Sequence, residues 1–290
     1  MVEQLINTLS SYQDSWRDLR AIRNEDQKDF INSLDFKSFL WEDKSEEFLN
    51  NFTEWVKGSK LNDFSKLDSF PHRSITCGSI QAFDHWYIRY GGKPITYGGE
   101  FMYHNGANKY SEEVKCIVIS MPFTANGQII ENYDSLIEGD VPIMLDFCHA
   151  PTSKGLVLDD NDSIKEICFS VSKAFWGGEW LRVGVRYSKI NHDDGIDIAN
   201  EVNMVPRLGI GVANELITKY NFDYSWNTYE ESYKIVCEKL NLSQTNNIMF
   251  GIGGEEYEEY NRAGYNRICL SEEIFRQGCS AVGSARALGA

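Results

Sequence analysis

The sequence predicts an α/β protein: a three-layer α/β/α domain around a mostly parallel sheet, with a small α+β subdomain after it. Three observations carry that expectation. Short, continuously apolar runs (KCIVISMPF, VPIMLDFCH, EICFSVS) alternate with helical or turn segments over about 73–190. Strands read this way when helices cover both faces of a sheet. Hydrophobic residues make up 42% of the 290-residue chain and charged residues 24%, enough for a sizeable core without disulfides. Past residue 195 the pattern changes to two long helical stretches and two short strands around an acidic loop.

Taken in order, residues 1–70 form a polar, acidic and aromatic N-terminal helical segment. Phe30, Leu34, Phe36, Phe39 and Leu40, then Phe48, Phe52 and Val56, recur about a turn apart. That spacing predicts two or three helices. Residues 71–192 form the core of the large domain. RSITCG reads as a strand and a Gly78-Ser79 turn, and IQAFDHWYIRY as the helix that follows. KPITYG is a candidate strand, KCIVISMPF a buried one, and NYDSLIEGD a helix beyond the Asn126-Gly127 turn. VPIMLDFCH, EICFSVS and LRVGVRYS supply further strands. Residues 193–290 form the small subdomain. There IANEVNMVPRLGIGVANELITKY and TYEESYKIVCEKLN read as helices, and NIMFGIG and YNRICLS as strands bracketing GGEEYEEYNRAG. The tail SAVGSARALGA is small and Gly/Ala-rich, and poor order is expected there.

Charge and cysteine usage exclude several function classes. Acidic side chains number 43 and basic ones 28, for a net charge of −15. That balance argues against a nucleic-acid partner, which needs a basic footprint. No stretch approaches the roughly 20 apolar residues of a membrane span. The start, MVEQLINTLSSYQDSW, lacks the basic and apolar regions of a signal peptide. The seven cysteines, at 77, 116, 148, 168, 237, 269 and 279, include no CxxC pair and no zinc spacing. They read as buried thiols in a reducing cytoplasm. His72, His85, His104 and His192 show no metal spacing either, so no metal is expected. GIGG at 251–254 lacks the strand-then-helix context of a dinucleotide loop and reads as a tight turn.

The chemistry collects where apolar strands stop, as ligands do at the carboxyl ends of α/β sheets. Asp146 follows Pro142-Ile143-Met144-Leu145; a carboxylate emerging from a buried strand needs a cation. Lys173 follows EICFSVS among Phe169, Phe175 and Trp176, surroundings that lower an amine's pKa. Arg182 opens the next strand, and its guanidinium fork suits a phosphate. Each has a plainer reading when taken singly: a turn residue, a surface lysine, an ion-pair partner. Their order is more specific. Lys173 comes 27 residues after Asp146, and Arg182 nine after Lys173. This resembles the fold-type I enzymes that use pyridoxal 5′-phosphate (PLP), the aspartate aminotransferase superfamily.

The resemblance continues along the chain. SVSKAFWGGEWLRVG is similar to the superfamily's Ser-x-[Ser/Ala]-Lys…Arg-x-Gly signature. It implies that Lys173 carries the cofactor as a Schiff base, that Ser170 and Arg182 hold its phosphate, and that Asp146 pairs with its pyridinium nitrogen. TCGSIQAF resembles the strand, turn and helix that cup the phosphate, with Gly78 and the backbone N–H groups of Ser79 and Ile80 as donors. Phe101, in GEFMYH, falls where the family stacks an aromatic on the ring, with Tyr103 and His104 just after. MPFTANG stands in place of Asn-Pro-x-Asn-Pro-Thr-Gly, which puts Thr124 where an Asn bonds the phenolic oxygen. His149 stands in place of the usual Tyr, as in some acyl-transferring members. Arg267, in NRICLSEE, resembles the arginine that grips the substrate α-carboxylate. Pairing with the nearby Glu255, Glu256, Glu258 and Glu259 is the competing reading. The N-terminal arm and the C-terminal subdomain are short for a standard aminotransferase.

The implied function is a PLP-dependent aminotransferase, acting on an α-amino acid or amine with a 2-oxo acid as co-product. The family also implies a homodimer, and Arg207 has an open role near such an interface. Ser172, where decarboxylases of this fold have His, and Arg267 favour transamination. His149 leans toward another PLP reaction, by a lyase, a racemase or a condensing synthase. A non-catalytic member is the third reading; joint retention of Lys173, Asp146 and Arg182 argues against it.

Overall fold

The computed structural model describes residues 16–17, 19–90, 95–96, 116–130 and 133–278. Three helices come first: α1 (Glu25–Asn32), α2 (Phe36–Trp41) and α3 (Ser45–Lys57). Side chains that accept a backbone N–H start two of them, Asn24 for Gln27 and Asp35 for Lys37. The apolar spacing noted in the sequence becomes the buried face of α3, with Phe48, Phe52, Trp55 and Val56 turned inward.

The large sheet holds β1 (His72–Thr76), β2 (Ile95–Thr96), β3 (Ile117–Ser120), β4 (Ile143–Asp146), β5 (Ile164–Ser170) and β6 (Gly184–Ser188). Its order is β1-β6-β5-β4-β3-β2. Strands β2 to β5 pair in parallel, and β6 runs antiparallel to both its neighbours. The sheet is therefore mostly parallel, as the continuous apolar runs predict. Alternate residues sort onto two faces. Ile119, Leu145, Ile167, Phe169 and Val185 meet α3 and α8 (Arg207–Lys219) in one core. Val118, Met144 and Cys168 meet Phe83, Trp86 and Tyr87 of α4 (Ser79–Arg89) on the other side. These are the three layers. Short helices α5 (Tyr133–Ile137), α6 (Gly178–Leu181) and α7 (Gly195–Glu201) complete the connections.

A second core surrounds α9 (Tyr224–Lys239) and a four-stranded antiparallel sheet of β7 (Ser243–Gln244), β8 (Phe250–Gly253), β10 (Tyr265–Cys269) and β9 (Asn261–Arg262). Trp16, Leu19 and Ile22 belong to this core, and the Cys269 N–H donates to the Trp16 carbonyl at 2.9 Å. The apolar cores thus cut across the sequence boundaries at 70 and 192. Helices α3 and α8 pack on the large sheet, while Trp16 to Ile22 join the C-terminal unit.

Three local expectations are corrected. IANEVNMVPRLGIGVANELITKY is two helices, α7 and α8, separated before Pro206, which lacks the N–H needed to continue a helix. The acidic segment Glu255–Tyr260 is a 3₁₀ turn, and Asn261–Arg262 adds a strand. Arg182 does not open β6: it ends α6 in the left-handed region, at φ 52°. The tail at 280–290 lies outside the described residues.

A buried ion network closes the α4 side of β5 and β6. Arg186, on β6, donates to Asp194 and Asp197, each at 2.6 Å. Arg89, on α4, bridges Glu166 and Asp194, and His192 Nε2 lies 2.8 Å from Glu166. Glu166 and Arg186 are almost wholly buried, so each needs these partners. Among the described residues, no helix is long and apolar enough to cross a membrane.

Candidate active site

Strand register assembles the site at the carboxyl ends of the parallel strands. Ser120, Asp146 and Cys168 are neighbours across β3, β4 and β5. Thr76, Gly184 and Ser170 are neighbours across β1, β6 and β5.

The second row leads to an anion cradle. Gly78 has φ 75° and ψ 174°, a conformation open essentially only to glycine. A Cβ there would lie 3.0 Å from Nη2 of Arg182. Arg182 Nη2 also donates to the Cys77 carbonyl at 3.3 Å. Helix α4 starts directly after Gly78, with no side chain capping its first N–H groups. The Cys77 N–H is taken by Gln81 Oε1 at 2.7 Å. The Ser170 hydroxyl lies 2.9 Å from that of Ser172 and donates to the Val183 carbonyl at 3.1 Å. An uncapped helix N-terminus facing a guanidinium and a close-approach glycine can hold a dianionic group. Gly78, Ser79, Ile80, Ser170 and Arg182 are thus brought together.

The first row centres on Asp146, which is buried. Its Oδ1 accepts the Cys148 N–H at 2.9 Å, and the Ser120 hydroxyl reaches Oδ2 at 3.4 Å. The Cys168 thiol lies 3.7 Å from Oδ1. No cation among the described residues pairs with it. Burial pushes its carboxyl above the usual range, against these hydrogen bonds. The Cys148 thiol interacts with Asp146, Cys168 and the Ser79 hydroxyl, linking the carboxylate to the cradle.

Lys173 stands three residues beyond β5. Its Nζ donates to the Leu19 carbonyl at 2.7 Å. Burial lowers its pKa, and the Glu179 charge opposes that shift. His149 is buried against Phe250, with ring centroids 5.7 Å apart, and its Nδ1 has no partner among the described residues. Burial, then the charges of Lys173, Arg267 and Arg262, hold its pKa well below the ordinary value, so it is neutral. Arg267 is buried; Nη1 donates to the Thr124 carbonyl at 2.6 Å, and the guanidinium lies 4.6 Å from the Phe250 ring centre. Among the described residues, no ion pair joins it to Glu255, Glu256, Glu258 or Glu259. Thr124, itself buried, meets Arg267 through its backbone carbonyl. Phe101, Tyr103 and His104 lie outside the described residues.

The chain is similar to an aminotransferase from Staphylococcus aureus, with TM-score 0.61 and 12% identity over 91% of each chain. A mutant aspartate aminotransferase of Thermus thermophilus gives TM-score 0.61 and 12% identity, over 92% of this chain and 94% of that one. The fold is the aminotransferase fold. A PLP-bound C–S lyase from Staphylococcus hominis shares it, with TM-score 0.56 and 12% identity over 83% of this chain and 82% of that one. No protein-family model and no curated protein sequence matches the chain.

The aminotransferase fold also brings in residues that sequence reasoning missed. Leu19 comes from a segment with no readable motif, and only the fold returns it to Lys173. Glu179 sits inside the lysine motif, but nothing in its spacing marked it. Phe250 lay in a recognised strand, though its two neighbours, His149 and Arg267, come from distant segments. Among the described residues, no cluster of three or more His, Cys, Asp or Glu side chains is arranged to hold a metal.

Proposed function

We propose that this chain is a PLP-dependent aminotransferase acting on an α-amino acid, with a 2-oxo acid as co-product. One observation carries the reading: Asp146, a buried carboxylate with no paired cation among the described residues, stands beside an anion cradle at Gly78 and Arg182. PLP fits both ends, since its phosphate is a dianion and its ring nitrogen is a cation when protonated. When bound, it supplies a carbonyl for covalent attachment and an electron sink for the carbanion.

The remaining steps belong to this chain's own residues. Gly78, Ser79, Ile80, Ser170 and Arg182 bind the phosphate, and Arg182 orients it with its planar fork. Asp146 keeps a proton on the ring nitrogen. Lys173 is the attachment lysine; once released, it takes the proton from the substrate Cα. A burial-lowered pKa leaves more of its amine unprotonated near neutral pH, as a base requires. Arg267 orients the substrate carboxylate, and Thr124 and His149 line the ring. Phe101 is assigned the stacking face. Homodimeric assembly and a cytoplasmic setting belong to the same reading, and the free thiols among the described residues support a reducing compartment.

The purified protein should absorb near the visible edge, and borohydride should fix the cofactor to Lys173 in a peptide identified by mass spectrometry. A label on another lysine, or no label with PLP present, overturns the assignment. The neutral His149, whose Nδ1 has no partner among the described residues, favours a second reading, a lyase or another PLP reaction at Cα or Cβ. An amino-acid screen separates the two: transamination needs a 2-oxo acid acceptor for repeated turnover, and elimination does not.

A further inference from the structure

The loop that carries Lys173 is held from near the start of the chain. The Trp176 N–H donates to Oε1 of Gln27 at 2.8 Å, and Lys173 Nζ donates to the Leu19 carbonyl at 2.7 Å. Gln27 lies in the first turn of α1 and is buried, with 2% of its surface exposed. A glutamine is seldom buried so completely, because its amide must find partners inside the protein. Its backbone N–H is taken by Asn24, the cap of α1, at 2.9 Å. Asn24 Nδ2 in turn donates to the hydroxyls of Tyr224 and Tyr229 on α9, at 2.9 and 2.6 Å, and the Arg20 carbonyl accepts the Ser271 hydroxyl. The stretch from Leu19 to Gln27 is thus bonded to the C-terminal unit on one side and to the lysine loop at two points on the other.

We infer that Gln27 is a positioning residue for Lys173: its side-chain oxygen fixes the loop backbone, and the fixed loop sets the lysine amine against the Leu19 carbonyl. The loop closes two turns on itself, from the Ala174 N–H to the Val171 carbonyl and from the Gly178 N–H to the Phe175 carbonyl. Neither uses the Trp176 N–H, and Gln27 supplies that donor's acceptor. An amine that must carry a group and then take a proton from the carbon beside it works at one fixed reach, where small misplacements are costly. Gln27 provides that fixity from outside the motif that contains the lysine. The inference rests on the proposed role of Lys173 as the reactive lysine.

The test is the acylation of Lys173 by trace acetic anhydride at one fixed pH, well below the melting temperature. The full-length protein is first treated with hydroxylamine to remove any bound aldehyde, and labelling is read by peptide mass spectrometry against Lys66 and Lys154 in the same digest. Gln27→Met keeps the length of the side chain and removes the acceptor. It should raise Lys173 labelling about three- to tenfold, the weight of one neutral hydrogen bond, and leave the two reference lysines unchanged. Gln27→Glu keeps an acceptor at the same reach and should label as the wild type does. Gln27→Asn withdraws the acceptor by one methylene; it should act in the same direction as Gln27→Met and carries the test if that variant does not fold. Unchanged or lowered labelling in the folded Met or Asn variant overturns the inference, as does a Glu variant that labels like the Met one. A glutamine that served stability alone would lower the urea midpoint and leave the labelling ratio where it was. Labelling needs no bound cofactor, so failed borohydride fixation would sink the proposed function and leave this result readable.

Discussion

Replacing Asp146 with Asn should stabilise the cofactor-free protein and abolish most of its use for the cofactor. The two states separate because the carboxylate has no paired cation among the described residues, and bound PLP would supply one. Desolvating a carboxylate costs several kcal/mol. The charge-assisted bond from the Cys148 N–H, at 2.9 Å, returns about 1.5–3 kcal/mol. The Ser120 hydroxyl at 3.4 Å and the Cys168 thiol at 3.7 Å add little at those lengths. A net penalty of roughly 1–3 kcal/mol remains. Asn retains the carbonyl acceptor for Cys148 and removes the charge. Its cofactor-free form should melt about 2–6 °C higher, at roughly 2 °C per kcal/mol for a chain of this size. The sign also fixes the pH dependence. A carboxyl raised in the folded state costs stability as pH climbs from its unfolded value, about 3.9, through its folded one. Above that the penalty is constant, so the Asn variant's advantage should shrink as pH falls. Saturating PLP should reverse the order, by stabilising the wild type through a pyridinium contact that the amide cannot reproduce. Turnover should fall by orders of magnitude. Calorimetry with and without PLP reads all of this. A variant that is less stable without cofactor, or equally stabilised by it, would refute the reasoning.

Two further outcomes follow from other features. Gly78→Ala should cost about 1–3 kcal/mol of stability through backbone strain and weaken PLP binding by crowding Arg182; urea melts and a titration measure both, and an unchanged dissociation constant removes Gly78 from the cradle. Burial alone would raise Asp194 and Asp197, yet hydrogen bonds and the Arg186 charge hold both carboxyls below the usual range. Their stabilisation is complete above the unfolded value, about 3.9, and lost as pH falls through the folded values. Arg186→Met should cost about 3–5 kcal/mol at neutral pH and flatten the loss of stability below about pH 4. Urea midpoints between neutral and acid pH check this, and an unchanged acid slope would count against the network.

The parts of the fold that could be read in the sequence were those fixed by local patterning. Ile143-Met144-Leu145 announced a strand buried on both faces, and the charge ending it announced Asp146. The Gly78-Ser79 turn was readable because a glycine between a strand and a helix has few other uses. What escaped depended on long-range assembly. Glu166, Arg186 and Asp194 belong to no motif, and His192 read only as a histidine without metal spacing, because their pairing exists only once α4 and α7 pack on the sheet. Arg267 had a surface reading and a site reading, and burial against Phe250 decided where it sits. Pro206 was a readable break that the apolar periodicity on either side concealed. Leu19 contributes a backbone carbonyl, which no side-chain pattern encodes.

The bond between the Leu19 carbonyl and Lys173 has a consequence for how the protein is made. Trp16 and Cys269 are joined backbone to backbone, and the Arg20 carbonyl accepts the Ser271 hydroxyl at 2.6 Å. The Arg20 carbonyl therefore waits for a partner made 251 positions later. The large sheet needs only segments already synthesised by about residue 220, and can close while translation continues. The lysine's surroundings cannot. A nascent chain arrested before β10 emerges would hold the strand ends and the cradle, with the Lys173 amine still open to water.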